Sequence, residues 1–392
     1  MTGGDIRMVL IPSAIVIRRF ANPPMEAMPM HSEIAIIPDQ SALTPCAVGI
    51  DSLYLSRFAD GLGIDWERLR YEKERLHANT AATHAELALG SETFALRRGG
   101  QKPYSFVLSN KAFTLRLGER ITPCCHAQIS SQLLWTCGLD GALERFNAFW
   151  DSLKSRATRP DVVSRVDAAF DFAVGEPRLR VEDFVSQADK DATWRENQTP
   201  QSFQFGRSDV VCRVYDKVAE IKEQSEKFWL YDIWGTDQGV WRGEFQIRGV
   251  RLKEAGIGTL DQMRAYLPGL VRHLARHHTS LREPTKDTNR SRWPLHPMWR
   301  GIIESTDQLV RAPDHPPPPL LSGSEYRLAQ QSRSIYGHCK AIAATLSEDY
   351  PDDPVTFEEL LGRMGYLLNR YHSPELWRAD VCAKARKRAL GL

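Results

Sequence analysis

Three short segments of the chain place charged and phenolic side chains at alternate positions. They are SRVDAAFDF, CRVYDK and WRGEFQIR, which span residues 164–172, 212–217 and 241–248. Alternate side chains of a β-strand point to the same face. If the three segments are neighbouring strands, one face of the sheet collects ten polar side chains: Arg165, Asp167, Asp171, Arg213, Tyr215, Lys217, Arg242, Glu244, Gln246 and Arg248.

The residue types on this face suit the transesterification of a phosphodiester. A phenol is a weak nucleophile near neutral pH, because its pKa is about 10. A divalent cation held by carboxylates polarises a scissile phosphate, and Arg or Lys offsets the charge that develops in the transition state. Carboxylates on an otherwise apolar strand are costly to bury unless they bind a cation or hydrogen-bond donors. The competing interpretation is a set of surface ion pairs, each worth less than about 1 kcal/mol. Periodicity alone does not choose between the two.

The segments that position these side chains are predicted to be strands with helices between them. Strands are predicted at 47–56, 93–96, 104–108, 113–117, 127–135, 162–174, 202–206, 210–215 and 240–248. Helices are predicted at 65–88, 140–155, 181–188, 216–228 and 260–278, the last with a kink or break at Pro268. This mixture predicts an α+β fold, with a mostly antiparallel sheet and flanking helices, rather than a doubly wound parallel sheet.

Composition shifts divide the chain into four segments. Residues 1–43 read as a flexible N-terminal extension, and residues 44–311 as the domain that carries the three polar strands. Residues 312–321 contain four consecutive prolines, which favour a semi-rigid extended linker. Residues 322–392 are helical in character and end in a basic run.

The overall composition is that of a globular protein whose charge is unevenly distributed. The chain has 392 residues, 42% of them hydrophobic, and its net charge of +2 is close to neutral. Residues 241–311 nevertheless hold thirteen Lys/Arg against seven Asp/Glu. A local excess of positive charge is expected of a surface that binds phosphates. Seven cysteines without a regular framework favour a reducing compartment, and no apolar run is long enough to span a bilayer. The expected location is the cytoplasm. No phosphate-binding glycine loop supports dependence on ATP or NAD.

In their order along the chain, the three segments resemble the signature strands of the replication initiation factor family, also called the Rep_trans family. The turn Gly206-Arg207-Ser208, which leads into CRVYDK, strengthens the resemblance, and the similar region covers roughly residues 47–281. The family contains rolling-circle initiators of plasmids and phages and related relaxases of conjugative elements. Its fold is similar in topology to that of the His-hydrophobic-His nicking enzymes, but it binds metal mainly through carboxylates.

The resemblance implies a tyrosine that attacks one strand of DNA at the origin, leaving a 5′-phosphotyrosyl link and a free 3′-hydroxyl. Mapped by motif, the nucleophile is Tyr215, and three cations would assist it: Arg213, Lys217 and Arg242. Three carboxylates would hold Mg²⁺ or Mn²⁺: Asp167, Glu244 and Asp171. Three further arginines would contact DNA: Arg207, Arg248 and Arg251.

The expected partners are the duplex origin and the single strand that nicking produces, with a host helicase and a second copy of the chain as further candidates and no membrane. Two alternative functions stay open: a conjugative relaxase of the same family, and a DNA-binding regulator that has lost the nuclease. Tyr231 is a rival nucleophile, but its aromatic neighbours favour packing. His273 and His277 could pair on a metal, but the arginines around them favour a basic helix face.

Overall fold

The computed structural model describes residues 41–79, 82–311, 323–348 and 352–390. The predicted N-terminal extension lies almost wholly outside these residues, as does the whole of the predicted proline linker. The chain is tied to the core from Leu43 onward, because the Leu43 N–H donates to the carbonyl of Pro297 at 3.1 Å. None of the helices in the described part of the chain combines the length and the apolar character that a membrane crossing needs.

Fifteen strands are present in the described residues, and eleven of them form one sheet. In chain order the strands are β1 (Ala47–Arg57), β2 (Ala59–Asp60), β3 (His84–Leu89), β4 (Glu92–Arg97), β5 (Phe106–Ser109), β6 (Phe113–Leu117), β7 (Cys125–Ile129), β8 (Arg156–Ala157), β9 (Val162–Ala173), β10 (Phe184–Ser186), β11 (Asp191–Glu196), β12 (Thr199–Phe205), β13 (Val210–Asp216), β14 (Val240–Arg248) and β15 (Thr279–Leu281). The large sheet has the order β11-β12-β13-β14-β9-β1-β7-β6-β5-β4-β3, and its neighbours are antiparallel. Strands β10 and β15 form one small sheet, and β2 and β8 form another.

Ten α-helices flank or follow the sheet in the described residues. They are α1 (Trp66–Ala78), α2 (Ser131–Ser152), α3 (Lys217–Glu220), α4 (Leu230–Trp234), α5 (Gly249–Glu254), α6 (Leu260–His277), α7 (Pro297–Ser305), α8 (Gly323–Leu346), α9 (Phe357–Asn369) and α10 (Pro374–Ala389). A kink at Gly138, whose φ is 68°, bends α2. The last three helices make up the described part of the C-terminal region, so its predicted helical character is confirmed.

The three predicted polar strands lie side by side as β13, β14 and β9, which confirms the α+β prediction and the predicted shared face. The register places Arg213 opposite Glu244 and Tyr215 opposite Arg242, and it places Arg242 opposite Asp171. Residues directly opposite each other in an antiparallel pair point to the same side of the sheet. One face of these strands is therefore polar.

The opposite face of β9 and β14 is apolar and forms part of the main core. Phe170, Phe172 and Phe245 are buried there, and the Phe245 ring lies edge-on to Trp299 of α7, with the ring centroids 5.9 Å apart. Helix α7 approaches closely at Gly243, where a Cβ atom would lie 2.7 Å from Cδ1 of Ile302. Burial of this face against α7 fixes which side of the strands remains polar.

Several predicted element boundaries are wrong, and tertiary pairing explains most of the differences. Helix α1 ends at Ala78, and the predicted helical tail from 84 to 88 is strand β3, whose alternating apolar residues face the core. The strand predicted over 127–135 ends at Ile129, because the Ser130 hydroxyl caps the N-terminus of α2. Residues 181–183 form a single 3₁₀ turn that leads into β10. Helix α6 continues through Pro268 and does not end there.

Candidate active site on the polar face of the sheet

A groove of about 850 Å³ lies on the polar face and is here called the tyrosine groove. Residues of β1, β9, β11, β12, β13 and β14 line it, together with the segment from Lys217 to Lys227. Five of the predicted site residues lie along it: Asp167, Arg213, Tyr215, Lys217 and Glu244. The sheet register brings these side chains together, although they come from segments up to 77 positions apart.

The phenol of Tyr215 is held by a carboxylate. Its hydroxyl donates a hydrogen bond to Oε2 of Glu244 at 3.0 Å. Burial raises the pKa of Tyr215 well above its usual value, and the negative charge of Glu244 raises it further. The phenol is therefore neutral at rest, and its proton already points at a group that can accept it.

Arg213 fixes the other side of the same carboxylate. Its Nη1 donates to Oε1 of Glu244 at 3.2 Å, and its Nε donates to Oε1 of Gln204 at 3.1 Å. The Arg213 side chain keeps 30% of its surface exposed, so it still faces the groove. It can thus orient Glu244 and attract an anion in the groove.

Arg242 lies beneath the groove and does not face it. Its side chain is fully buried, and it donates to both carboxylate oxygens of Asp171, from Nε at 2.6 Å and from Nη2 at 2.8 Å. A third hydrogen bond, from Nη1, reaches Oδ1 of Asp51 at 2.7 Å. Burial would lower the pKa of Arg242, but the two carboxylates hold it well above its usual value. In this structure Arg242 contacts carboxylates inside the sheet and does not line the groove, and its predicted catalytic contact with phosphate stays a prediction.

Asp171, predicted as the third metal ligand, lies next to Arg242 inside the sheet. Its carboxylate accepts the two hydrogen bonds from Arg242 and a third from Nε1 of Trp234 at 2.9 Å, and the side chain has no exposed surface. These hydrogen bonds occupy its oxygens, and Asp171 does not line the groove with Asp167 and Glu244. Within the described residues, no three acidic, histidine or cysteine side chains converge as a metal cluster.

Asp51 is a site residue that the sequence reasoning missed. The β1–β9 register shifts between Ile50 and Ser52, so Asp51 occupies a bulge, and its carboxylate reaches Arg242. It also accepts hydrogen bonds from Ser131, Trp135 and Lys227. Burial would raise the pKa of Asp51, but Arg242, Lys227 and Lys217 hold it well below its usual value. The available signal was an acidic residue in an apolar strand, the same signal that singled out Asp167.

Asp167 is the second carboxylate of the groove. Arg165 donates two hydrogen bonds to its carboxylate, from Nε at 2.8 Å and from Nη2 at 2.5 Å. Burial raises the pKa of Asp167 to about 6; Arg165 opposes this rise, and the charge of Glu244 adds to it. A divalent cation would offset the repulsion between Asp167 and Glu244. Magnesium is commonly bound by one or two carboxylates with water and phosphate, so this pair has suitable donor chemistry.

Lys217 lies at the start of α3, directly after Tyr215 and Asp216. Its side chain is only 2% exposed, and Nζ donates to Oε2 of Glu220 at 2.5 Å. Burial lowers the pKa of Lys217, and the nearby cations of Arg242 and Lys227 lower it further. Nζ also lies 5.4 Å from the centre of the Tyr215 ring, so this cation adjoins the phenol.

The three arginines predicted to contact DNA do not form one group. Arg207 and Arg251 line a cavity of about 550 Å³, here called the histidine cavity, together with Lys190, His273, His277 and His278. The rings of His273 and His277 lie 4.7 Å apart. Arg248 instead ends β14 opposite Arg165, on the polar face. The rival Tyr231 is buried beside Phe228 and Trp234, as its aromatic context predicts.

The chain shows a distant structural similarity to a protein of known structure. No protein-family model matches the chain, and no curated protein sequence does. The chain is similar to a solved structure described as a rolling circle replication initiator protein from Geobacillus stearothermophilus. The two share 18% sequence identity over 68% of this chain and 99% of the other, with a TM-score of 0.37.

Proposed function

We propose that the chain is a DNA-nicking initiator of the rolling-circle type, with Tyr215 as its nucleophile. The observation that carries the proposal is the hydrogen bond from the Tyr215 hydroxyl to Glu244, within an open groove edged by arginines. A nucleophile paired with a carboxylate, which is itself held by a third group, is the usual arrangement for covalent catalysis. Arg213 is that third group here.

The proposed step is an exchange of one phosphodiester bond for another. The phenolic oxygen of Tyr215 forms a bond to phosphorus, and the bond from phosphorus to the 3′-oxygen breaks. The phenolic proton passes to Oε2 of Glu244, and the leaving 3′-oxygen takes a proton from water. One end of the cut strand is then a free 3′-hydroxyl, and the other end is linked to Tyr215 through its 5′-phosphate. The reverse reaction rejoins the strand.

Because the pKa of Tyr215 is raised, the proposed attack requires Glu244 as a general base. Burial and the charge of Glu244 both disfavour a free phenolate, so the proton must leave as the oxygen attacks. A positioned general base typically contributes roughly 100-fold to 10,000-fold to such a step. Arg213 and Lys217, both at the groove, would offset the negative charge that builds on the phosphate oxygens.

Asp167 and Glu244 are the residues that would hold Mg²⁺ or Mn²⁺. When bound, the cation would polarise the scissile phosphate as a Lewis acid. Arg165 and Arg213 orient the two carboxylates through hydrogen bonds, Arg165 to Asp167 and Arg213 to Glu244. Asp171 takes no part in this set, because Arg242 and Trp234 occupy its oxygens.

The histidine cavity is proposed to grip DNA phosphates away from the nick. It adjoins Val210, at the opposite end of β13 from Tyr215, and five residues of strand span about 17 Å. Arg207, Arg251 and Lys190 supply permanent positive charge there. Contacts of this kind position a protein on DNA without reading its sequence. Arg248 would add a contact on the polar face.

The deciding experiment incubates supercoiled origin DNA with Mg²⁺ or Mn²⁺ and three forms of the protein. Wild type should give nicked circles with covalently attached protein, and Tyr215→Phe should give neither. Tyr54→Phe is the matched control, since Tyr54 lines the same groove and should be dispensable. Nicking by Tyr215→Phe at the wild-type rate would remove Tyr215 as the nucleophile. Origin binding by wild type without nicking would identify a DNA-binding regulator instead.

A further inference from the structure

Trp194 exposes a large indole at the edge of the sheet. Its side chain lies on β11 and is 53% exposed, whereas Trp150, Trp234 and Trp299 are almost fully buried. Trp135, Trp234 and Trp299 each donate their indole N–H to an acceptor within the protein. Among the described residues, no acceptor or stacked ring is found for the Trp194 indole. A single exposed aromatic residue is common in proteins, so exposure alone does not indicate a ligand site.

The register of the sheet connects Trp194 to the nucleophile. Trp194 lies opposite Ser202 on β12, and Ser202 lies opposite Tyr215 on β13. The three side chains therefore share one row and one face of the sheet. Adjacent strands are about 4.8 Å apart, so the backbones of Trp194 and Tyr215 are separated by about 10 Å. Trp194 and Tyr215 also line the same groove.

A break in the sheet register occurs next to the indole. Trp194 pairs with Ser202, but the next residue, Arg195, pairs with Pro200, so Gln201 is an extra residue in β12. Bulges of this kind increase the local twist and re-aim side chains, and they are common beside active sites. The edge hairpin thus presents Trp194 and Arg195 at the rim of the groove.

We infer that Trp194 stacks on an unpaired base of the strand whose phosphate Tyr215 attacks. The inference rests on the proposed function, because it takes the groove to be the path of a DNA strand. A separation of about 10 Å corresponds to roughly three stacked nucleotides, or fewer when the strand is extended. Both faces of a base in duplex DNA are covered by its neighbours, so only an unpaired base can use the indole. The groove would therefore favour melted DNA over duplex.

The test measures binding by protein that carries Tyr215→Phe, so that no covalent link forms. The probes are a fluorescein-labelled single strand of mixed sequence and about twelve nucleotides, the same strand with abasic sites, and the corresponding duplex. Trp194→Ala should weaken binding of the intact single strand by roughly 10-fold to 100-fold, because stacking on an aromatic side chain is worth that much per base. Trp194→Phe should restore most of the loss. Binding of the abasic strand and of the duplex should stay within about twofold.

The matched control is Trp377→Ala, which removes an indole that is 63% exposed on α10 and does not line the groove. It should leave all three affinities unchanged. Equal losses for the intact and abasic strands, or no loss with Trp194→Ala, would overturn the inference. The assay does not require cleavage, so it is independent of the proposed reaction. If wild type fails to nick DNA while Trp194→Ala still weakens binding of the intact strand, the proposed function fails and the stacking site stands.

Discussion

The replacement of Arg242 by methionine tests whether this arginine stabilises the sheet or acts on DNA. Its side chain is fully buried, and it donates three hydrogen bonds to the carboxylates of Asp171 and Asp51. Arg242→Met leaves both carboxylates buried without this cation. Removal of one partner from a buried ion pair typically costs about 3–5 kcal/mol. That is a large fraction of the total stability of most domains, which is about 5–15 kcal/mol.

Equilibrium unfolding in urea, followed by tryptophan fluorescence, measures the effect. Arg242→Met should lower the free energy of unfolding by about 3–5 kcal/mol. Arg213→Ala is the control: its side chain is 30% exposed and it makes one bond of 3.2 Å to Glu244, so the loss should be smaller than that of Arg242→Met. Adding Asp51→Asn and Asp171→Asn to Arg242→Met should recover part of the stability, because the unpaired charges are removed. The reasoning fails if Arg242→Met unfolds like wild type but loses nicking activity, since Arg242 would then act on the phosphate.

Three further predictions concern the groove and the histidine cavity. Glu244→Gln should slow single-turnover nicking at least about 100-fold and leave origin binding intact; loss of both would assign Glu244 a structural role. The nicking rate should fall as the pH is lowered through about 6, because Asp167 takes up a proton and no longer holds the cation. A flat pH profile across this range would contradict that assignment. Replacement of both Arg207 and Arg251 by alanine should reduce the slope of log Kd against log salt concentration by about 2, as two lost phosphate contacts require. An unchanged slope would show that the histidine cavity does not touch DNA.

The sequence was sufficient to predict which side chains share the polar face. Alternation in β9, β13 and β14 places Tyr215, Glu244 and Asp167 on one side, because a period of two is a property of any extended strand. The antiparallel arrangement with flanking helices also follows from the pattern of short strands. These features depend on local geometry, which the sequence carries directly.

The alternation did not predict which side chains on the polar face pair with each other. Arg242 and Arg213 alternate identically on adjacent strands, but one is buried against Asp171 and the other lines the groove. Arg242 has a second carboxylate partner in Asp51, which a bulge in β1 brings within hydrogen-bond distance although the two residues lie more than a hundred positions apart. Such a bulge leaves no periodic signal. The course of α6 through Pro268 was also not predictable from local sequence, because burial of the apolar side of this helix outweighs the cost of the proline.

The most direct test of the central claim is the identification of the residue that becomes linked to DNA. Wild-type protein is allowed to react with origin DNA and Mg²⁺, digested with nuclease and trypsin, and analysed by mass spectrometry. We expect the nucleotide on the short peptide Val214–Lys217, attached to Tyr215 through its 5′-phosphate. A nucleotide on Tyr54, Tyr231 or any other residue would contradict the account, as would nicking that leaves no protein attached to the DNA.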